Sequence, residues 1–179
     1  MKKRIHIFGA SGSGTTTIAK AVTKALDYTH FDTDSYFWEQ TEEPFSLMRT
    51  PNDRIKLMNQ DLKKSKNWIL SGALNGWGDC FIPDFDLVIF VFVSPEERMK
   101  RLKKREFSRY GKEMLPGGNR YEKEVEFLEW AAKYDDENFD GRSFKNQKEW
   151  LEALPCPVLE VNNMDLEKSI KIVMEAITF

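Results

Sequence analysis

The chain is poor in the residues that mark several protein classes. Its two cysteines, Cys80 and Cys156, stand far apart with no histidine at metal-ligand spacing, so the sequence offers neither a disulfide framework nor a zinc motif and reads as two free thiols. The two histidines, His6 and His30, fall in strand patterns and read as packed or hydrogen-bonded residues rather than ligands. Neither sign of charge dominates. Lys plus Arg number 27 against 29 Asp plus Glu, a net charge of −2, so no basic excess argues for a nucleic-acid partner. No apolar run is long enough to span a bilayer, and the basic MKKR start is followed only by IHIF before a glycine, so no membrane partner and a cytoplasmic location are expected. Repeats and low-complexity segments are missing too. With 41% hydrophobic residues, 179 residues suffice for one substantial core and are short for two, so a single domain over 1–179 is expected. Composition sets no oligomeric state.

One further absence is local. Residues 9–17 read GASGSGTTT, the pattern G-x-x-x-x-G-K-[ST] with Thr15 at the lysine position. An apolar strand, KRIHIF, precedes it, and Ile18, Val22 and Leu26 place a helix after it. Gly9, Gly12 and Gly14 let the backbone curl so that N–H groups turn inward, and the helix start adds positive potential. Ser11, Ser13, Thr15 and Thr16 complete this anion cradle. Thr16 stands where the motif's hydroxyl meets Mg²⁺, while Thr15 offers only a neutral hydrogen bond. Phosphoryl transfer from ATP then needs its positive charge from elsewhere in the chain.

The rest of the chain alternates strands and helices. A second strand over 28–31 ends at Asp32 and Asp34; Thr50-Pro51 with Asp53 starts a helix over Ile55, Met58 and Leu62; Trp68–Leu70 is a third strand. FDLVIFVFV, 85–93, is a strand buried on both faces and expected to be central. Ser94-Pro95-Glu96-Glu97 predicts a capping box for the next helix, and Gly111 with Pro116-Gly117-Gly118 predicts a hinged flap. Beyond it, Tyr121, Val125, Leu128 and Ala132 form an apolar helix face, Val158–Val161 a last strand, and Leu166, Ile170, Val173 and Ile177 a last helix capped from Asn162-Asn163-Met164-Asp165. This is an α/β pattern with a parallel sheet covered on both faces, and ligands bind such sheets beyond the carboxyl ends of the strands.

Asp32 and Asp34 are two residues apart, so both carboxylates project to one side, where one can hold Mg²⁺ and the other meet an acceptor; the alternative is that they cap a turn. Arg98, Arg101 and Arg105 share a helix face, and Arg109 and Arg120 flank the flap. At least one of Arg105, Arg109 and Arg120 is expected to grip phosphate, and spacing does not say which. Arg54, Asn75 and Trp77 are candidate acceptor contacts; an exposed helix arginine and a packing tryptophan are equally good accounts.

With these stretches, HFDTDSYFW at 30–38, WILSGALNGWGD at 68–79, SPEERMKRLKKRE at 94–106, FLEWAAKYD at 127–135 and LPCPVLEV at 154–161, the chain resembles P-loop small-molecule kinases of the nucleoside monophosphate kinase and shikimate kinase type, and more narrowly a bacterial adenylate-kinase-like P-loop ATPase group. The resemblance implies a three-layer P-loop NTPase fold with a five-stranded parallel sheet in the order 2-3-1-4-5. It implies an acceptor-binding region at about 35–66 and an arginine-bearing lid at about 106–120, with Arg105, Arg109 and Arg120 in catalytic roles. It also implies ATP and Mg²⁺ as cofactors, Thr16 and Asp32 at the metal, and Asp34 at a small-molecule acceptor, a nucleoside monophosphate or a shikimate-like hydroxyl metabolite. Ser71 departs from the pattern, standing where nucleoside monophosphate kinases commonly carry an aspartate. The G-T-T-T loop is similar to that of archaeal cytidylate kinases. A nucleotide-binding regulatory module, or a slow ATPase without an acceptor, is the alternative reading.

Overall fold

The computed structural model describes residues 1–179. Five strands form one sheet: β1 (Arg4–Gly9), β2 (Thr29–Asp32), β3 (Trp68–Ser71), β4 (Leu87–Phe92) and β5 (Val158–Asn162), in the order β2-β3-β1-β4-β5 and all parallel. The central strand is therefore β1. The apolar run of β4 lies one place off centre, flanked by β1 and β5, which is enough to bury it on both faces. Helices α1 (Thr15–Leu26), α2 (Asp34–Phe37), α3 (Pro51–Leu62), α4 (Pro95–Tyr110), α5 (Tyr121–Ala132) and α6 (Phe144–Glu152) lie in the crossovers, only a short 3-10 helix at Asp79–Asp84 joins β3 to β4, and α7 (Leu166–Thr178) follows β5. None is long and apolar enough to cross a membrane.

Alternation along β1 divides the core. Ile5 and Ile7 pack with Ile69, Ile89 and Val91 against Ile18 and Val22 of α1 and Val173 and Ile177 of α7. His6 and Phe8 face the other way; Phe8 packs with Leu70, Val88 and Phe90 against Met58 and Leu62 of α3 and Leu151 of α6. Sheet and two helix layers make the three-layer architecture.

Several local expectations change. Ser94 makes no side-chain cap bond, and Glu97 pairs instead with Arg101 at 2.9 Å, so no capping box forms, although Pro95 does open α4. The helix runs past Glu106 to Tyr110 and ends at Gly111, so Arg105, Glu106 and Arg109 sit on a continuous helix rather than in a flexible flap. On α5 the buried positions are Glu124 and Ala131, while Tyr121 of the expected apolar face is exposed, because this helix packs on the charged flank of α4. Helix α6, absent from the sequence reading, starts at Ser143, whose side chain accepts from the Asn146 N–H. Thr50 caps α3 through Asp53 as expected, and Asp165 caps α7.

His6 is fully buried between the rings of Phe8 and Phe85, with Nδ1 3.1 Å from the Leu70 carbonyl. A carbonyl only accepts, so Nδ1 carries the proton, and Nε2 is buried with no partner. Burial pushes this imidazole from 6.5 down to about 3. The unfolded chain therefore takes up a proton on His6 first, and stability is lost as pH falls below 6.5 toward 3. Urea unfolding at pH 7.5, 6.5 and 5.5 should show His6→Phe losing less stability than the natural chain across that range, by up to about 1.4 kcal/mol per pH unit. Parallel pH dependences would show that His6 is not held neutral.

Candidate functional site

All five strands end on one edge of the sheet, and the turns after β1, β2, β3 and β5 line an open cleft of about 1960 Å³. The loop after β1 forms its floor. Gly12 and Gly14 hold φ of 87° and 95°, and a Cβ on Gly14 would stand 2.5 Å from the Asn163 amide, so both positions require glycine. The N–H groups of Gly12, Gly14, Thr15 and Thr16 donate to no backbone or side-chain acceptor of the protein. Four unpaired donors at a helix N-terminus are the chemistry of an anion cradle, and on this count the loop fits nucleotide phosphates. Gly9, Ser11, Gly12, Gly14, Thr15 and Thr16 line the cleft. Ser13 does not; its hydroxyl is fully buried without a partner, and its carbonyl accepts from the Asn163 side chain at 2.8 Å.

Asn163 sits just after β5, at the turn into α7, and is buried. Sequence reasoning saw it only as part of a cap, because a contact across 150 residues leaves no local signal. Asn163→Ala should cost about 1–2 kcal/mol of stability in denaturant unfolding and weaken nucleotide binding in calorimetry. Unchanged values of both would mean that the loop holds its shape without this bond.

Beside the loop, the Thr16 hydroxyl donates to Asp32 at 3.1 Å, and the Asp34 N–H donates to the other Asp32 oxygen at 3.1 Å. Ser71 Oγ stands 3.5 Å from Asp32 and 2.9 Å from His30 Nε2. No group of three or more His, Cys, Asp or Glu residues forms a protein-only metal cage. A Thr hydroxyl next to one carboxylate is the small donor set that suits Mg²⁺ shared with phosphates. Asp34 starts α2 and faces the same cleft. Desolvation by the cleft around it, and the charge of Asp32, raise its carboxyl, opposed by Arg142, Arg105 and Arg109.

The far wall is basic, and most of its charge is already engaged. Arg105 Nε donates to Glu106 at 2.5 Å, Arg109 lies 3.4 Å from the same oxygen, and Arg120 lies 3.5 Å from Glu124 and 3.7 Å from Glu43. Glu106 and Glu124 are both buried, and burial with the Glu106 charge pushes the Glu124 carboxyl up. Lys123 also bonds Glu43, so α5 is tied across the cleft mouth to the loop before α3. Arg98, grouped with these by spacing, is turned away: it is 1% exposed and donates to the Ala131 carbonyl at 2.9 Å and to Asp135 at 2.5 Å.

The opposite wall is aromatic. Phe37, Trp38, Phe45 and Trp77 line the cleft, with Phe37 centred 5.0 Å from Trp38 and 5.8 Å from Trp77. Asn75 joins them, its Oδ1 buried without a donor. Arg54 stands one layer back, its guanidinium 3.6 Å over the Phe37 ring and its Nε bonded to the Arg49 carbonyl at 2.8 Å. It supports the wall without lining it. Arg49, which sequence reasoning missed, donates to the carbonyls of Ser35 at 2.9 Å, Tyr36 and Trp38 and so shapes the same loop.

A phosphate-type loop at the edge of a 2-3-1-4-5 parallel sheet, with carboxylates and arginines around it, defines a P-loop protein with the fold of small-molecule kinases. The chain belongs to the AAA domain family, whose model matches residues 5–129. It is 46% identical over 163 residues to the uncharacterized protein YqaC of Bacillus subtilis (strain 168), covering 91% of this chain and 90% of that one. Over 114 residues, 58% of this chain and 62% of the relative, it is 36% identical to the cytidylate kinase of Archaeoglobus fulgidus. The solved structure of deoxyadenosine kinase from M. mycoides with bound dATP superposes over 100% of both chains with a TM-score of 0.61 at 22% identity, a likeness of fold.

Proposed function

We propose that the protein is an ATP-dependent phosphotransferase whose acceptor carries a nucleobase, a nucleoside or nucleoside monophosphate. The observation that carries this reading is the aromatic wall of Phe37, Trp38, Phe45 and Trp77 in the same cleft as the unpaired loop amides and Asp34. Planar rings stack on such a surface, whereas a shikimate-like hydroxyl metabolite has no π-face to use it. Kinship with a cytidylate kinase supports the same class.

Bound Mg-ATP supplies the phosphoryl group and neutralises much of its charge. The loop amides of Gly12, Gly14, Thr15 and Thr16 hold the donor phosphates. Thr16 and Asp32 hold the metal, and Ser71 orients the Asp32 carboxylate. Asp34 receives the proton when the acceptor group is a hydroxyl, while Trp77 and Phe37 fix the acceptor ring and the unpaired Asn75 oxygen takes a hydrogen bond from it. Arg105, Arg109 and Arg120 reach phosphate by exchanging their carboxylate partners, which makes 106–120 and its flanks a lid in function. Arg54 acts through Phe37. A regulatory nucleotide-binding module or slow ATPase is the second reading, and Thr15 at the lysine position is the observation that favours it.

ADP production from Mg-ATP, measured alone and with nucleosides, nucleoside monophosphates and ring-free hydroxy acids, separates these readings. Strong stimulation by base-bearing compounds only is the expected result. Stimulation confined to hydroxy acids would overturn the acceptor class, and none at all with nucleotide binding intact would favour the regulatory module. Asp32→Asn should lower the stimulated rate by about 100-fold or more. Trp77→Ala should raise the acceptor KM by about tenfold.

The pH profile offers a separate check. Asp34 acts as its carboxylate, so kcat/KM for a hydroxyl acceptor rises with pH through its titration. Because Asp34 is the proposed base, the acid limb should vanish in Asp34→Asn. An acid limb that survives in Asp34→Asn belongs to another group.

A further inference from the structure

Five arginines line the cleft: Arg101, Arg105, Arg109, Arg120 and Arg142. Arg101 has Glu97 within 4 Å, Arg105 and Arg109 have Glu106, and Arg120 has Glu43 and Glu124. Arg142 has no carboxylate partner at that distance. Its one hydrogen bond runs from Nη2 to Ser11 Oγ in the phosphate loop, 2.9 Å away, and spans 131 residues of sequence. A guanidinium has five N–H donors, so most of those on Arg142 are unspent.

Building rather than chance puts it there. Arg142 immediately precedes Ser143, the buried cap of α6, and its guanidinium packs 4.8 Å over the Trp130 ring of α5. It closes a narrow recess with Ser11, Arg98, Ala131 and Tyr134 and faces the main cleft on its other side. Arg98 shows what a purely structural arginine looks like in this protein: fully enclosed, with a carboxylate and a carbonyl on its two terminal nitrogens. Arg142 packs against α5 as well, yet has no carboxylate within 4 Å. Burial lowers its proton affinity, offset by the charge of Asp34. Its charge is thus poorly hydrated and interacts strongly with an anion placed beside it.

The loop supplies the reason for a cation here. Thr15 occupies the position where the usual pattern has a lysine reaching the outer phosphates. We propose that Arg142 is the phosphate-gripping cation of this loop, reaching the terminal phosphate of the bound nucleoside triphosphate from beside Ser11 in place of the missing lysine. Ser11 holds the guanidinium on the donor side, and Asp34 lines the same cleft. This assignment rests on the reading of the loop as a nucleotide site.

Calorimetric titration with Mg-ADP and with the Mg complex of a non-hydrolysable imido analogue of ATP tests it, using the full chain, Arg142→Ala and Arg142→Lys, with thermal melting of each protein without ligand. Arg142→Ala should lose about tenfold or more in affinity for the triphosphate and less than about threefold for the diphosphate, with Arg142→Lys recovering part of the loss. Equal weakening toward both nucleotides would make Arg142 a brace of the loop and overturn the proposal, as would an unchanged triphosphate affinity. Should Arg142→Ala not fold, Arg142→Lys decides: a selective loss of triphosphate affinity supports the assignment, and parallel changes overturn it. A natural chain that binds neither nucleotide would remove the loop reading itself, a result distinct from any shown by the variants.

Discussion

The candidate site depends on one short stretch of backbone whose N–H groups are denied partners. Gly12, Gly14, Thr15 and Thr16 leave four donors unspent at the start of a helix, a state that costs free energy in the folded chain unless water or an anion meets them. The surrounding structure enforces it from three directions. Helix α4 closes on Gly12 through Leu102 and the Arg98 backbone, Asn163 holds the Ser13 carbonyl, and Arg142 ties Ser11. Strands β1, β4 and β5 run parallel, so their ends deliver these groups to the same edge. The sheet order is thus what makes the cradle possible, and the cradle is what the later segments of the chain are shaped around.

Charge in the cleft is organised by exchange. Arg105, Arg109 and Arg120 are tied to Glu106, Glu124 and Glu43, two of them buried carboxylates. Such a network avoids the cost of a buried uncompensated charge, and it means that a phosphate must compete with carboxylates already in place. Glu43 bridges to both Arg120 and Lys123, so the same exchange would alter the tie between α5 and the loop before α3. On the proposed reading, phosphate binding and the tie between α5 and the loop before α3 draw on the same partners.

The sequence showed the sheet, the loop and the paired aspartates because each is written in adjacent residues: glycines that demand a turn, β-branched runs, two acids at a strand end. Where it failed, the deciding interaction was long-range. Glu124 is buried on a face that periodicity marked as polar, since its partner surface on α4 is itself charged. Ser94 has the residue type of a cap without the bond, because Glu97 found Arg101 one turn on. Arg98 shares a helix face with Arg101 and Arg105 in one dimension, yet Asp135, 37 residues later, draws it inward. Asn163 and Arg142 carry no motif at all. The apolar core was legible; which polar groups it would bury was not.

The missing lysine follows from the same distinction. A lysine within the loop is a local solution, placing charge beside phosphate whatever the rest of the chain does. A chain with threonine there must bring its cations from α4, α5 and the turn before α6, and each arrives only when its own helix is packed. Four of the five cleft arginines come with carboxylates that hold them in waiting, and those carboxylates lie on the same helices or on the loop that closes the cleft. Phosphate affinity in such a site is a property of the assembled fold rather than of a nine-residue motif. The motif alone therefore reads as weakened, while arginines from outside it line the same cleft.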